Sequence, residues 1–268
     1  MSGSRICREK SKAMAGAGHT LHRFQQRLLP PLPRREQMEL LDEAELDSQE
    51  LSANFRDIRR VNKLLGGTSV ILRHLPRMLE SFPTDQPVTI LDLATGVADI
   101  PAAISRWAKR HNRPVTIVAS DNSDDILNLA REQVAGYPDI TVARYDARAV
   151  PLPDNQFDIV LCSLSLHHFS PDDAVLVLRE MNRLARLGFI LNDLHRGRLG
   201  YAAAWTAARL TTRNRLTRHD APLSVRRAYT PGELRELLQR AGIDNATITT
   251  HPWFRIAAVV NVEARHDS

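Results

Sequence analysis

Cysteine is nearly absent from the 268 residues: only Cys7 and Cys162 occur, so a disulfide framework is excluded and a reducing, cytoplasmic setting is expected. Cys162 lies inside an apolar run and reads as a small core residue. No apolar stretch reaches the roughly 18 residues of a membrane span, and no secretory apolar core is present. No internal repeat appears, and no Gly-x-Gly-x-x-Gly triplet follows a strand, which speaks against a nicotinamide dinucleotide site. The sequence pI near 9.6 invites a nucleic-acid reading, but the basic charge is local. Residues 1–36 carry eight Lys or Arg against Glu9 and Glu36, whereas the whole chain is only +5. The remainder is therefore near neutral, and no nucleic-acid partner is expected. Residues 1–37, punctuated by Pro30, Pro31 and Pro33, read as a flexible basic tail or as sequence upstream of a start at Met14 or Met38.

The most informative stretch present is 88–101. Val88, Ile90, Leu91 and Leu93 read as a strand buried on both faces of a parallel sheet. It ends in Asp92-x-Ala94-x-Gly96-x-Ala98-Asp99, a turn of small residues that lets the backbone approach a ligand closely, with Gly96 best placed for positive φ. Carboxylates on both sides of that turn would repel a pyrophosphate. They suit a ligand carrying an ammonium and a sulfonium.

Later segments repeat the strand-then-acid pattern. Val115–Ser120 ends at Asp121, followed by Asn122, and an acid there can accept both hydroxyls of a ribose. Ile140–Tyr145 ends at Asp146-Ala147. The segment Ala149–Val160 then leads through Pro151, Pro153 and Phe157-Asp158 into a fourth strand.

These four segments in order resemble the class I S-adenosylmethionine-dependent methyltransferases, over about residues 85–192. The first motif is closest to the D-x-A-x-G-x-G-D form of the ubiquinone and menaquinone biosynthesis methyltransferases, with Ala98 where that form has its last glycine. The resemblance implies S-adenosyl-L-methionine as cofactor, held by Asp92, Ala94, Thr95, Gly96, Asp99, Asp121, Asn122, Asp146 and Ala147. In that family Asp121 matches the ribose-binding acid and Asp146 the acceptor of the adenine amino group. It also implies an α/β, Rossmann-like seven-stranded sheet of order 3-2-1-4-5-7-6, with the last strand antiparallel.

Around that core, 38–83 is expected to form an N-terminal helical cover, and 84–268 the methyltransferase domain with a helical lid insertion at 195–230. In the cover, Leu51, Phe55, Ile58, Val61 and Leu65 share a helical face, with Asp47 or Ser48 as cap. A second helix, about 69–79, contains Pro76. In the lid, Tyr201, Trp205, Leu210 and Leu216 read as one helix interleaved with arginines.

Ligands in open α/β sheets sit beyond the carboxyl ends of the strands, so the bend Ser163–Phe169 should border the reacting methyl group. It carries His167 and His168, which either accept a proton or brace the loop. The fifth strand ends in Asn192-Asp193-Leu194-His195-Arg196, a run that resembles methyltransferases associated with bacterial type III polyketide synthases. Asp193 and His195, two apart in extended chain, should face one side, so Asp193 would orient His195 as first candidate base, with His167 or His168 second. No metal is expected, since clustered oxygen ligands at catechol-type spacing are not visible. O-methylation of a small phenolic, quinol or polyketide-derived acceptor is the expected reaction. C-methylation of a quinone precursor, a nucleic-acid methyltransferase and a non-catalytic binding module are the alternatives. Oligomeric state does not follow from these residues.

Overall fold

A computed structural model of the chain describes residues 30–42, 48–64 and 66–262. Residues 1–29 of the expected tail, and Asp47 and Leu65 of the expected first helix, lie outside the described residues. Seven strands form one sheet: β1 Val88–Leu93, β2 Val115–Asp121, β3 Ile140–Arg144, β4 Phe157–Ser163, β5 Ala185–Leu194, β6 Thr247–His251 and β7 Arg255–Asn261. Their order is 3-2-1-4-5-7-6, as expected. β1 to β5 run parallel, and β7 is antiparallel to both β5 and β6.

Eight helices surround the sheet: α1 Ser48–Leu64, α2 Gly67–Met78, α3 Asp99–Arg110, α4 Asp124–Val134, α5 Pro171–Leu184, α6 Arg198–Thr211, α7 Arg215–Arg227 and α8 Pro231–Arg240. Alternation along β1 sorts its side chains. Val88 and Ile90 pack with α2, α3 and α4, while Leu91 and Leu93 face α5 and α8. Polar caps start the helices where the sequence offers them: Ser123 and Ser170 accept from the third residue onward, and Thr230 with Glu233 closes a capping box. Gly188 in β5 sits at φ +144°, where an added Cβ would lie 2.0 Å from the Val260 carbonyl oxygen; only glycine allows β7 so close.

Two features depart from the sequence reading. The 195–230 insertion is two helices rather than one, because Asn214 breaks the chain after Thr211 and its side chain accepts from Thr217 N, capping α7. Residues 30–42, partly assigned to the tail, are strapped across the carboxyl edge of the sheet. Arginines hold the strap by its carbonyls: Arg196 Nε donates to Leu32 O at 2.6 Å and Arg227 Nη1 to Gln37 O at 2.7 Å. Arg34 returns the contact, donating to Phe169 O and Arg227 O. The buried Asp220 carboxylate on α7 accepts Leu40 N and Leu41 N, capping the single turn Leu40–Asp42.

Candidate functional site

The turn after β1 is built as its small residues dictate. Ala94, Gly96 and Ala98 all take positive φ, at 51°, 58° and 58°. Ala98 therefore tolerates a left-handed conformation in which glycine would be strain-free. Thr95 N donates to Ser120 O, so the turn is tied to β2. Asp92 is buried at its root: Oδ2 accepts Thr95 Oγ1 at 2.6 Å, and Oδ1 is buried with no hydrogen-bond partner. Burial raises the Asp92 pKa to about 7, with Asp99 and Asp121 adding repulsion against the pull of the Thr95 hydroxyl.

Asp121, at the end of β2, leans toward this turn. Its Oδ2 accepts Gly96 N at 3.0 Å, and its Oδ1 accepts Asn122 N and Ser123 N. Burial raises its pKa despite those three donors. Asn122 thus serves through its backbone, and Ala147 is buried behind β3. Asp146 lies farther out in a forked pair with Arg148, 2.7 Å at the closest, which holds its carboxyl below the usual range. From above, Phe55 of α1 closes the cradle; a Cβ on Gly96 would stand 3.6 Å from its ring. Phe55 packs with Leu51 and Val97 in a small separate core, so α1 covers the turn.

A buried acid with an unpartnered oxygen, facing a turn with a second acid, is a poor anion site. It fits a cationic ligand, as S-adenosylmethionine is.

The second half of the site lies at the ends of β4 and β5. Asp193 is buried and gives both oxygens to His167: Oδ2 accepts the backbone N at 2.9 Å and Oδ1 faces Nδ1 at 2.6 Å. The spacing along the chain pointed to His195 as the partner; the hydrogen-bonded imidazole of Asp193 is His167, delivered by the turn Leu166–His168 from the neighbouring strand. His195 is buried, its backbone N bound to Phe254 O and its ring edge-on to Phe254. Strand adjacency carries the missing signal: Ser163 is in register with Asn192, so the bend after β4 must pass over Asp193.

His168 Nδ1 lies 3.1 Å from both oxygens of Asp42, and its ring is 4.4 Å from that of His167. Burial alone would lower its pKa, but the carboxylates of Glu39 and Asp42 outweigh it and raise the value to about 9. Asp42 is correspondingly held low.

Glu39, Asp42 and Arg227 were not foreseen. Glu39, buried on the strap, stands 3.7 Å from His167 Nε2 and 3.8 Å from His168 Nε2, and accepts Ser224 Oγ. Buried Arg227 holds the carbonyls of His167 and His168 and lies 3.9 Å from Glu39. Glu39, His167 and His168 bring three ligand atoms within 4.8 Å of one another. The Arg227 guanidinium already supplies positive charge at that point. Arg255, buried at the start of β7, adds another; burial lowers its pKa to about 10 against the attraction of Asp193 and Asp99.

Residues 90–188 match a family described as a methyltransferase domain. The chain is similar to the ubiquinone/menaquinone biosynthesis C-methyltransferase UbiE of Enterobacter sp. (strain 638), 33% identical over 103 residues, covering 37% of this chain and 39% of that protein. It is also similar to the demethylmenaquinone methyltransferase of Staphylococcus carnosus (strain TM300), 28% identical over 112 residues, 42% of this chain and 44% of that one. The chain thus spans less than half the length of these curated relatives. Among solved structures, a SAM dependent methyltransferase from Aquifex aeolicus aligns over 82% of this chain and 100% of its own, with TM-score 0.55 and 17% identity. The CurJ carbon methyltransferase aligns over 82% of this chain and 62% of its own, with TM-score 0.58 and 12% identity. These two likenesses concern the fold.

Proposed function

We propose that this chain, whose residues 90–188 match a methyltransferase-domain family, is an S-adenosylmethionine-dependent methyltransferase that moves the cofactor's methyl group to a small phenolic or enolisable acceptor, with carbon as the accepting atom. The observation that carries the reading is the buried Asp193–His167 pair set beside the acid-lined turn of Asp92 and Asp121. Bound S-adenosylmethionine supplies a methyl group already activated on a sulfonium. The chain has to grip that cation, exclude water and take a proton from the acceptor.

Asp92, Thr95, Gly96 and Asp121 would hold the cofactor, and Phe55 would cover it. Asp193 accepts from His167 Nδ1, so Nε2, which faces the Glu39 carboxylate at 3.7 Å, is the nitrogen that would take the acceptor's proton. A phenol's pKa near 10 against about 6.5 for imidazole leaves that transfer uphill by about 5 kcal/mol. The Asp193 carboxylate fixes the tautomer and the orientation of the ring. The proton taken by His167 would leave the acceptor anionic toward the methyl group that the bound cofactor would supply, and the imidazolium would then return that proton to water.

Oxygen and carbon acceptors share this deprotonated anion. The similarity to the Enterobacter C-methyltransferase supports carbon over the oxygen expected from the sequence. The test is incubation with methyl-carbon-13-labelled cofactor and a panel of dihydroxyphenols, quinols and 1,3-diketones, with products read by heteronuclear NMR. A labelled methyl coupled to a ring or chain carbon is the expected result. A methyl ether would move the assignment to oxygen, and no transfer to any acceptor, with no cofactor bound, would remove the whole reading.

A further inference from the structure

Helix α6 faces solvent over most of its surface: of its 14 residues only Gly200 and Ala208, two turns apart, are buried. Away from that buried edge runs an exposed stripe without charge. Leu199, Ala203, Thr206 and Leu210 follow one another at helical spacing, and Leu199 is 56% and Leu210 81% exposed. Trp205, at the flank, is 42% exposed and lies under the Arg209 guanidinium at 3.8 Å. No Asp or Glu occurs between Arg196 and His219, while Arg198, Arg209, Arg213 and Arg218 are all exposed. The β6–β7 turn adds to this surface. Phe254 packs on Gly200, and its neighbour Trp253 is 58% exposed at φ 61°.

We propose that α6 is the face by which this protein lies on an anionic lipid surface. Leucine and tryptophan side chains would enter the acyl boundary, and the arginines would reach lipid phosphates along their own apolar stems. Two alternatives fit less well. A second copy of the chain in a two-fold contact would set Arg209 and Arg213 against their own counterparts with no acid between them. A nucleic acid would use the arginines but leave the leucine stripe in water.

The face follows directly from β5, whose end holds Asp193, so a bilayer contact would set the catalytic edge close to a lipophilic acceptor. The binding itself is independent of the methyl-transfer reading, and its test uses no cofactor. Full-length protein is sedimented with vesicles of phosphatidylcholine alone and of phosphatidylcholine mixed with phosphatidylglycerol. Binding to the mixed vesicles, weakened by salt, is expected. Arg209→Gln with Arg213→Gln should reduce partition roughly 30-fold, and Leu199→Ser with Leu210→Ser by at least about tenfold. All four side chains are exposed, so melting temperature should not move. The proposal is overturned if wild-type protein stays in the supernatant, or if both variant pairs sediment as wild type does, which would put the attachment elsewhere in the chain. It is equally overturned if the leucine pair instead dissolves a dimer on gel filtration while vesicle binding is absent.

Discussion

Replacing Asp92 by asparagine should stabilise the ligand-free chain at pH 8 while weakening its hold on the cofactor. The carboxylate is 1% exposed and its pKa is pushed up to about 7 by burial and by the charges of Asp99 and Asp121. A carboxyl raised some three units above its unfolded value costs the folded state about 4 kcal/mol once it is ionised. Asparagine keeps the shape and can still accept the Thr95 hydroxyl, but it leaves a buried amide group without a partner, at about 2 kcal/mol. The net gain is about 2 kcal/mol, or about 5 °C in melting temperature for a chain of this size. The sign follows the proton. Below about pH 7 the native wild type takes up a proton that the unfolded chain, near 3.8, does not, so wild type recovers stability and the gap should close toward pH 5. Cofactor affinity should move the other way. Calorimetry at pH 8 should show the variant binding about 100-fold more weakly, in line with losing one partner of a buried charge contact. Wild-type affinity should fall about tenfold per pH unit below 7, while the variant's profile stays flat. A variant that melts below wild type at pH 8, or that binds the cofactor equally well, refutes the reasoning.

Two further outcomes follow from the same geometry. His167→Gln and Asp193→Asn should each lower kcat by about 10²- to 10⁴-fold while changing cofactor affinity little, whereas His195→Gln should cost much less; equal losses at all three would remove the Asp193–His167 pair as the proton acceptor. Gly188→Ala should destabilise the fold by about 3 kcal/mol or prevent its accumulation, because its Cβ meets the Val260 carbonyl at φ +144°; chemical denaturation monitored by circular dichroism reads this, and an unchanged midpoint would contradict the β5–β7 approach.

The central strands β1 and β4 were legible because they are apolar on both faces, and the order of the sheet followed from the family resemblance. β1 reads as Val-Thr-Ile-Leu-Asp-Leu, and one residue of it, Asp92, already announces both the strand's end and the ligand's charge. The caps Ser123, Ser170 and Thr230 are local hydrogen bonds, closed within three residues, and leave a local signature. The Asp193–His167 hydrogen bond was not legible, because nearness along the chain favoured Asp193 with His195, while the sheet order brings a turn from β4 over β5. Glu39 and Asp42 were farther from reach. His168 meets Asp42 across 126 positions, and the strap that carries the acid straddles the expected boundary between the basic tail and the helical cover. Its arginine clamps, on carbonyls that any sequence possesses, fix it over the site together with the Asp220 carboxylate that caps Leu40 and Leu41.

The strap changes what the site does electrostatically. Without it, the edge of the sheet would present Asp92, Asp99, Asp121 and Asp193 against Arg255. The strap adds Glu39 and Asp42, and the answering charges are Arg227 and a His168 kept protonated to about pH 9. Because the folded pKa of His168 lies above its unfolded value, its stabilising contribution is complete below about pH 6.5 and is lost as the pH passes through 9. Ionisation of Asp92 near 7 works in the same direction. On these two groups the ligand-free chain loses stability toward the alkaline side. A bound sulfonium and ammonium relieve the repulsion among the acids, so the melting-temperature rise on adding cofactor should be larger at pH 9 than at pH 6. The same strain that weakens the empty fold is what selects a cation for the space beside Asp92.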